Sequence, residues 1–446
     1  MIYHFIGIGG VGMSALAHIL IEKGAHVSGS EKERSKITDA LILAGATVYF
    51  SYDEAHLPAV GTIVYGSAIK EDNIELVKAK KRFSCVLHRA ELLANLIREK
   101  KGLLVAGTHG KTTTSALLAH SLQTSELEPS FAIGGMASSL GCNGKNGRGE
   151  YFVAEACESD GSFLLYEGYG AIITNIDDDH LDYWKDLEAL YRGFETFIGN
   201  IVSKEHLLWC ADDPFLRQKK FAGISYGFDP SAEGQILRYV QNAFHVEIDI
   251  AFRGRVFKNI QAPLIGEHNA LNITAVWILA MQMGIGEAFL RSSFKSFCGV
   301  GRRMEKKAEV DGVTIYDDYG HHPTEITATL KALKAASQGQ RVVVVFQPHR
   351  YSRTKQCIDA FAKALIIADV VVLTDIYGAG EKPIEGITEK RLFELLQKER
   401  SSNIHYAPRS TLCNDLKGVL RKGDILLTMG AGDITQVGES LKRAQS

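Results

Sequence analysis

The sequence has few cysteines and no pair of them spaced C-x-x-C. The seven, Cys85, Cys142, Cys157, Cys210, Cys298, Cys357 and Cys413, are scattered singly and odd in number. That usage points away from a disulfide framework and toward reduced thiols in the cytosol. An excess of charge of one sign is missing too: 50 Lys and Arg stand against 52 Asp and Glu, a formal net charge of −2. Neutralising a run of phosphates takes a basic excess, so no nucleic-acid partner is expected. No window approaches ~18 uninterrupted apolar residues, the length a membrane helix needs. The N-terminal "MIYHFIGIGGVGMSAL" has no basic stretch ahead of its apolar run and is broken by four glycines, which makes a poor signal peptide. No membrane partner and a cytoplasmic location are therefore expected. Short-period repeats and low-complexity linkers are absent as well.

What is present is the profile of a soluble globular protein, 46% hydrophobic and 23% charged. At 446 residues the chain is too long for one ordinary domain and long enough for two to four. Short apolar runs at 3–8, 26–30 and 62–66 read as strands, and "GMSALAHILIEKG" and "KITDALILAG" between them repeat apolar residues at three and four, as helices do. Such alternation indicates βαβ units on a parallel sheet. A charged helix over 89–102 closes this domain, and the strand "LLVAG" opens a second. The second runs through "YFVAEACESD", "GAIITNIDDDHLD" and a β-rich stretch to a helix over 269–284. A third alternation starts near Val300. The fold class expected is α/β in three domains, at 1–99, 100–298 and 299–446: Rossmann-like, P-loop ATPase-like and Rossmann-like.

In residues 103–120, "LLVAGTHGKTTTSALLAH", a strand breaks into a glycine loop and resumes as a helix. Such a loop offers backbone N–H groups and the positive end of a helix dipole to an anion. Gly107 and Gly110 let the backbone turn, Lys111 can reach terminal phosphate oxygens, and the Thr112 hydroxyl is placed for Mg²⁺. The usual spacing, G-x-x-x-x-G-K-[ST], would put glycine at Val105, so this loop is a shortened form. Glu155 and Glu158 stand at the end of one strand, and Asp177, Asp178, Asp179, His180 and Asp182 at the end of the next. In an open parallel sheet such ends converge where ligands bind. Oxygen donors with one imidazole beside a triphosphate suit Mg²⁺ and a second ion. Any single Asp of the 177–179 run is more simply a solvated loop residue.

Gly7, Gly9 and Gly12 fit G-x-G-x-x-G between a strand and a helix, and Glu31 follows 19 residues later. An NAD(P)-dependent oxidoreductase is one reading, but a UDP-sugar satisfies the same loop. A chain with both a diphosphate loop and an ATP-type loop is better suited to joining two molecules at the expense of ATP. In the third domain, Arg302 and Arg303 sit at its start, Asp317, Asp318, Tyr319, His321 and His322 at one strand end, and His349, Arg350 and Arg353 at another. An acidic and a basic strand end together suit an amino acid zwitterion.

"HFIGIGGVGMSALA", "GTHGKTTT", "EACESDGSF", "NIDDDHLDYW", "GEHNALN", "GVGRRME", "YDDYGHHPTEI", "FQPHRYSRT" and "LLTMGAGDI" occur in the order expected of the Mur ligases, which the chain resembles from residue 3 to about 435. The resemblance implies ATP-dependent ligation of L-alanine to the lactyl carboxylate of UDP-N-acetylmuramate, through an acyl phosphate, in peptidoglycan synthesis. It implies that Gly107, Thr108, His109, Gly110, Lys111, Thr112, Thr113, Asn269, Arg303 and Asp318 bind ATP. Gly9, Gly10, Val11, Gly12, Met13, Ser14, Ser67 and His88 would line the UDP-sugar pocket, and Tyr319, His321, Arg350 and Arg353 would receive the amino acid. Thr112, Glu155 and His180 would hold two Mg²⁺ ions, with Mn²⁺ an acceptable substitute, and Lys111, His180, His321 and Arg350 would be catalytic. A monomer or weak homodimer is expected. Cys157 stands where the family pattern leads one to expect Asp, and no lysine matches the modified one of several sister ligases. The rivals are a Mur ligase that recycles a whole tripeptide, the oxidoreductase, and a nucleotide-binding regulator without catalysis.

Overall fold

The computed structural model describes residues 1–443 and carries three sheets. The first is all parallel: β1 (Ile2–Ile6), β2 (His26–Ser30), β3 (Thr47–Tyr49), β4 (Thr62–Tyr65) and β5 (Val86–His88), in the order β3-β2-β1-β4-β5. Of these, β3 and β5 were not anticipated, because three residues are too few to show a period. The helix expected over 89–102 runs only from Arg89 to Arg98. His88 and Glu91 start it with a capping box, and it stops because Lys101 is drawn into β6, pairing with Tyr151. Tertiary pairing there overrides a helical pattern.

The second sheet contains β6 (Lys101–Ala106), β7 (Ser130–Ala132), β8 (Gly144–Lys145), β9 (Tyr151–Ala156), β10 (Gly170–Ile173), β11 (Leu207–Cys210), β12 (Ile224–Gly227), β13 (Gly234–Asn242), β14 (His245–Phe252) and β15 (Arg255–Ala262). Its order is β15-β14-β13-β12-β11-β10-β6-β9-β7-β8, so β6 lies between two parallel neighbours, β10 and β9. Helix Lys111–Thr124, which follows β6, is buried from Thr112 to Leu122, the all-round burial of a helix inside the core.

The third sheet holds β16 (Glu305–Val310), β17 (Val313–Asp318), β18 (Val342–Phe346), β19 (Val370–Leu373), β20 (Ile404–Tyr406) and β21 (Ile425–Met429), in the order β16-β17-β21-β18-β19-β20. Only the edge strand β16 is antiparallel. The continuous apolar run "VVVVF" of β18 is buried along its whole length, as a parallel strand covered on both faces requires.

By contact density the chain separates into two units. One comprises 1–238, 248–260 and 271–298 and contains the first sheet and most of the second; the other comprises 239–247, 261–270 and 299–446. Among the described residues no helix is long and apolar enough to cross a membrane.

Candidate active site

The chain leaves β6 at Ala106 and turns on Gly107 (φ 128°) and Gly110 (φ 85°) into helix Lys111–Thr124. At Gly107 a side chain is excluded outright, since an added Cβ would lie 2.1 Å from Thr174 Oγ1 and 2.8 Å from the Asn175 carbonyl oxygen. Those two residues, just past β10, carry the loop. Thr108 N–H donates to the Asn175 carbonyl (2.9 Å), His109 N–H to Asn175 Oδ1 (2.9 Å), and the Thr174 hydroxyl to the His109 carbonyl (2.6 Å). No side chain caps the helix that starts at Lys111, so its N-terminus keeps the partial positive charge that suits an anion.

Three acceptors surround Lys111 Nζ: the carbonyls of Gly107 (2.5 Å) and Thr108 (3.1 Å) and Glu158 Oε2 (2.8 Å). Burial alone would pull this ammonium down, but Glu158, with Cys157 and Glu155 behind it, holds it above its ordinary value. The Thr112 hydroxyl donates to Glu155 Oε2 (3.2 Å), and the other oxygen of Glu155 accepts from Ser115 Oγ (3.3 Å) and Gly134 N–H (2.6 Å). A hydroxyl beside a carboxylate, at the foot of an anion-binding loop, is the oxygen donor set that Mg²⁺ takes. His180 is not joined to this pair. It adopts φ 59° at the start of a short helix and contacts Asp179 (Nε2 to Oδ2, 3.6 Å). His109 meets Asp177 Oδ2 at 2.9 Å.

The first glycine loop turns from β1 at Gly7 (φ 81°) into helix Val11–Glu22, again with no side-chain cap. Gly9 N–H donates to Glu31 Oε2 (3.0 Å), which places the acid on the loop itself. Gly10 and Val11 are exposed, whereas Met13 and Ser14 turn inward; the Ser14 hydroxyl donates to the Val11 carbonyl and accepts from Asn143 Nδ2 (3.1 Å). Ser67 and His88 come together, Oγ to Nε2 at 3.0 Å, and the Ser67 hydroxyl donates to Asp160 Oδ2 (2.7 Å). His88 Nδ1 accepts from Ala90 N–H, so in this arrangement the ring proton lies on Nε2.

In the second unit, Asp318 ends β17 almost wholly buried, with Met304 N–H (2.9 Å) and Gly320 N–H (2.8 Å) on its two oxygens. Burial pushes this carboxyl up to about 6, against the pull of Arg303. Arg303 stacks over Tyr319 (5.3 Å) and reaches Glu325 (3.5 Å). His321 packs edge-on against Tyr319 and His349, and Arg353 Nη1 lies 3.4 Å from His349 Nδ1. His349 is pulled down to about 3 by burial and by His321, Arg353 and Arg350. Arg350, at φ 69°, pairs with Glu381 (3.2 Å). Asn269 donates to the Ile265 carbonyl (2.7 Å) at the start of helix Glu267–Gln282.

Several residues here were not singled out from the sequence. Asn175 and Ser115 support the loop and Glu155, Asp160 holds Ser67, and Asn272 places its Oδ1 3.0 Å from where a Gly110 Cβ would stand. Asn272 carried one legible signal, its spacing of one helical turn from Asn269.

Three family models match in series: the Mur ligase family catalytic domain over residues 2–101, the Mur ligase middle domain over 105–280, and the Mur ligase glutamate ligase domain over 302–432. The UDP-N-acetylmuramate–L-alanine ligase of Protochlamydia amoebophila is 45% identical over 98% of this chain and 96% of its own length. The chain belongs to the Mur ligase family. Among other Mur ligases, the protein of the same name from Geotalea uraniireducens is 42% identical at the same coverage. A solved structure titled as UDP-N-acetylmuramate-alanine ligase MurC from Thermotoga maritima superposes on this Mur ligase with a TM-score of 0.86, at 26% identity over 100% of this chain and 99% of that one.

Proposed function

We propose that this Mur ligase joins L-alanine to the lactyl carboxylate of UDP-N-acetylmuramate at the expense of ATP, in peptidoglycan synthesis. The observation that carries this reading is the 45% identity, along nearly the whole of both chains, to a protein named for that activity. The shortened phosphate loop, with its lysine and an adjacent hydroxyl–carboxylate pair, supplies the ATP-side chemistry. Domain limits of 1–99, 100–298 and 299–446, a cytoplasmic location and a monomer or weak homodimer go with it.

A carboxylate is a poor electrophile until one of its oxygens carries phosphate. The chain's task is therefore to align the lactyl carboxylate with the γ-phosphate, neutralise the charge that develops, and then present the alanine amine to the acyl phosphate. Lys111 and the amides of 107–113 would hold the β- and γ-phosphates. Thr112 and Glu155 would hold Mg²⁺, with His180 toward a second ion, and the metal would supply charge neutralisation on the phosphate oxygens. Asn269, Arg303 and Asp318 are assigned to ATP, and Gly9 to Ser14, Ser67 and His88 to the UDP-sugar. Tyr319, His321, Arg350 and Arg353 are assigned to alanine and the acyl phosphate, with the two arginines as carboxylate partners.

The test is phosphate release from ATP with UDP-N-acetylmuramate present and L-alanine, glycine, L-serine or the tripeptide offered in turn. Release with L-alanine is expected. Release with the tripeptide alone would reassign the chain to recycling, and no release with any of the four would sink the ligase reading.

A further inference from the structure

Glu158 lies two residues beyond the end of β9, and its side chain is completely buried. Its backbone carbonyl is held by two donors, Trp184 Nε1 (2.9 Å) and Gly161 N–H (3.1 Å). One carboxylate oxygen takes Lys111 Nζ at 2.8 Å; the other, Oε1, is buried and has no hydrogen-bond partner. A buried carboxylate with a bare oxygen is costly to the fold, and its compensation here is a single cation.

That cation is saturated. An ammonium has three protons, and Gly107 O, Thr108 O and Glu158 Oε2 are three acceptors within 3.1 Å. For Lys111 to reach a phosphate oxygen, one acceptor must give way. The two carbonyls belong to a loop pinned by Thr174 and Asn175, whereas the link to Glu158 is side chain to side chain and can part by rotation.

We propose that Glu158 is the internal counter-ion of Lys111: it holds the ammonium in the loop before nucleotide arrives, and exchange of the Lys111–Glu158 pair for a Lys111–phosphate pair is part of nucleotide binding. Glu158 is then a positioning residue that sets nucleotide affinity through Lys111. This rests on the phosphate-loop part of the proposed function and is independent of which amino acid is added.

The experiment is calorimetric binding of Mg-ADP to the full-length protein, with UDP-N-acetylmuramate binding as the control, on wild type, Glu158→Gln, Lys111→Met and the double variant. Glutamine keeps the shape and an acceptor but removes the competing charge. Glu158→Gln is expected to bind Mg-ADP roughly tenfold more tightly, with UDP-sugar affinity unchanged, because the lysine no longer has to leave a carboxylate. In the Lys111→Met background the same substitution should change nucleotide affinity less than twofold, which a purely structural role for Glu158 does not predict. Should Glu158→Gln alone fail to fold, the double variant, with both charges gone, is expected to recover the wild-type melting profile; failure to recover overturns the pairing. Unchanged or weaker nucleotide binding by Glu158→Gln overturns the counter-ion role while leaving the ligase reading intact. No Mg-ADP binding by wild type would overturn both.

Discussion

At Gly7 to Gly12 the chain turns from β1 into a helix over Ser30, and at Gly107 to Lys111 it turns from β6 into a helix over Thr174 and Asn175. Both loops lean on the end of a neighbouring parallel strand, but the supports differ. Under the first, Gly7 and Ile8 N–H groups share the Ser30 carbonyl (2.8 and 3.0 Å), and the Ser30 hydroxyl donates to Glu75, a fully buried carboxylate with His4 and His56 at 3.7 and 3.4 Å. Under the second, the partners are a neutral amide and a hydroxyl. The acids on the loops are reversed in the same way: Glu31, half-buried, sits on a backbone amide, and Glu158, fully buried, sits on a lysine. A carboxylate in partial contact with water exchanges partners at little cost, whereas a buried ion pair is strongly coupled. The first loop thus has a charged floor and a loose acid, the second a neutral floor and a tight one.

Breaking the tight side should have the largest effect. Lys111→Ala is expected to lower kcat on the order of 10³-fold, as loss of a preorganised positive group facing a transferring phosphoryl does. Phosphate release measures it, and a loss under tenfold would remove Lys111 from the chemistry. Next, Gly107→Ala should destabilise the protein by about 3 kcal/mol, since it adds a Cβ against Thr174 and Asn175 at a φ that alanine avoids. Gly9→Ala meets chiefly the flexible Glu31 side chain, and less than about 1 kcal/mol is expected. Denaturant midpoints of the two variants compare how tightly the two loops are packed, and equal losses would erase the distinction.

Glu75 tests the charged floor through pH. Burial acts to raise this carboxyl, but the adjacent His4 ring and the hydrogen bonds from the Ser30 hydroxyl and the Asp53 amide outweigh it and hold the group below its ordinary value. A carboxyl depressed by folding contributes stability that is fully present above its unfolded value of about 4.3 and lost as pH falls through the folded one. Glu75→Gln should therefore destabilise by about 2 kcal/mol at pH 7, and the gap from wild type should narrow below pH 4. A gap that is constant with pH would show that the charge plays no part. The smallest effect is expected at Glu31→Gln, less than about a threefold change in KM for the UDP-sugar, in keeping with a weakly held, solvent-screened carboxylate. A tenfold change would put the two acids on an equal footing.

Both loops were legible because glycines at fixed spacing, between an apolar run and a helical one, restrict what the backbone can do. The strands they follow were legible for the same reason, whereas the pairing of Glu155 with Thr112 was implied by the resemblance to the Mur ligases. Their supports were not. Asn175 beneath His109, Glu158 on Lys111 and Glu75 beneath Ser30 are separated from their partners by 66, 47 and 45 positions, and no local pattern marks such pairs. The strands β3, β5 and β20 are three residues each, and the helix expected to reach 102 lost its last turn to β6.

Periodicity and glycine placement, read along the chain, determined the α/β class, the succession of three sheets, and the position of each anion loop at a strand-to-helix turn. These follow from short-range sterics and from which face of each element must leave water. The tertiary structure alone decided which acids meet which loop and how deeply. Glu31 and Glu158 are the same residue type in similar polar strand-end loops. Only the packing around them makes one a screened surface group on an amide and the other a dry counter-ion to Lys111, because charge interactions depend on the dielectric that the rest of the fold imposes.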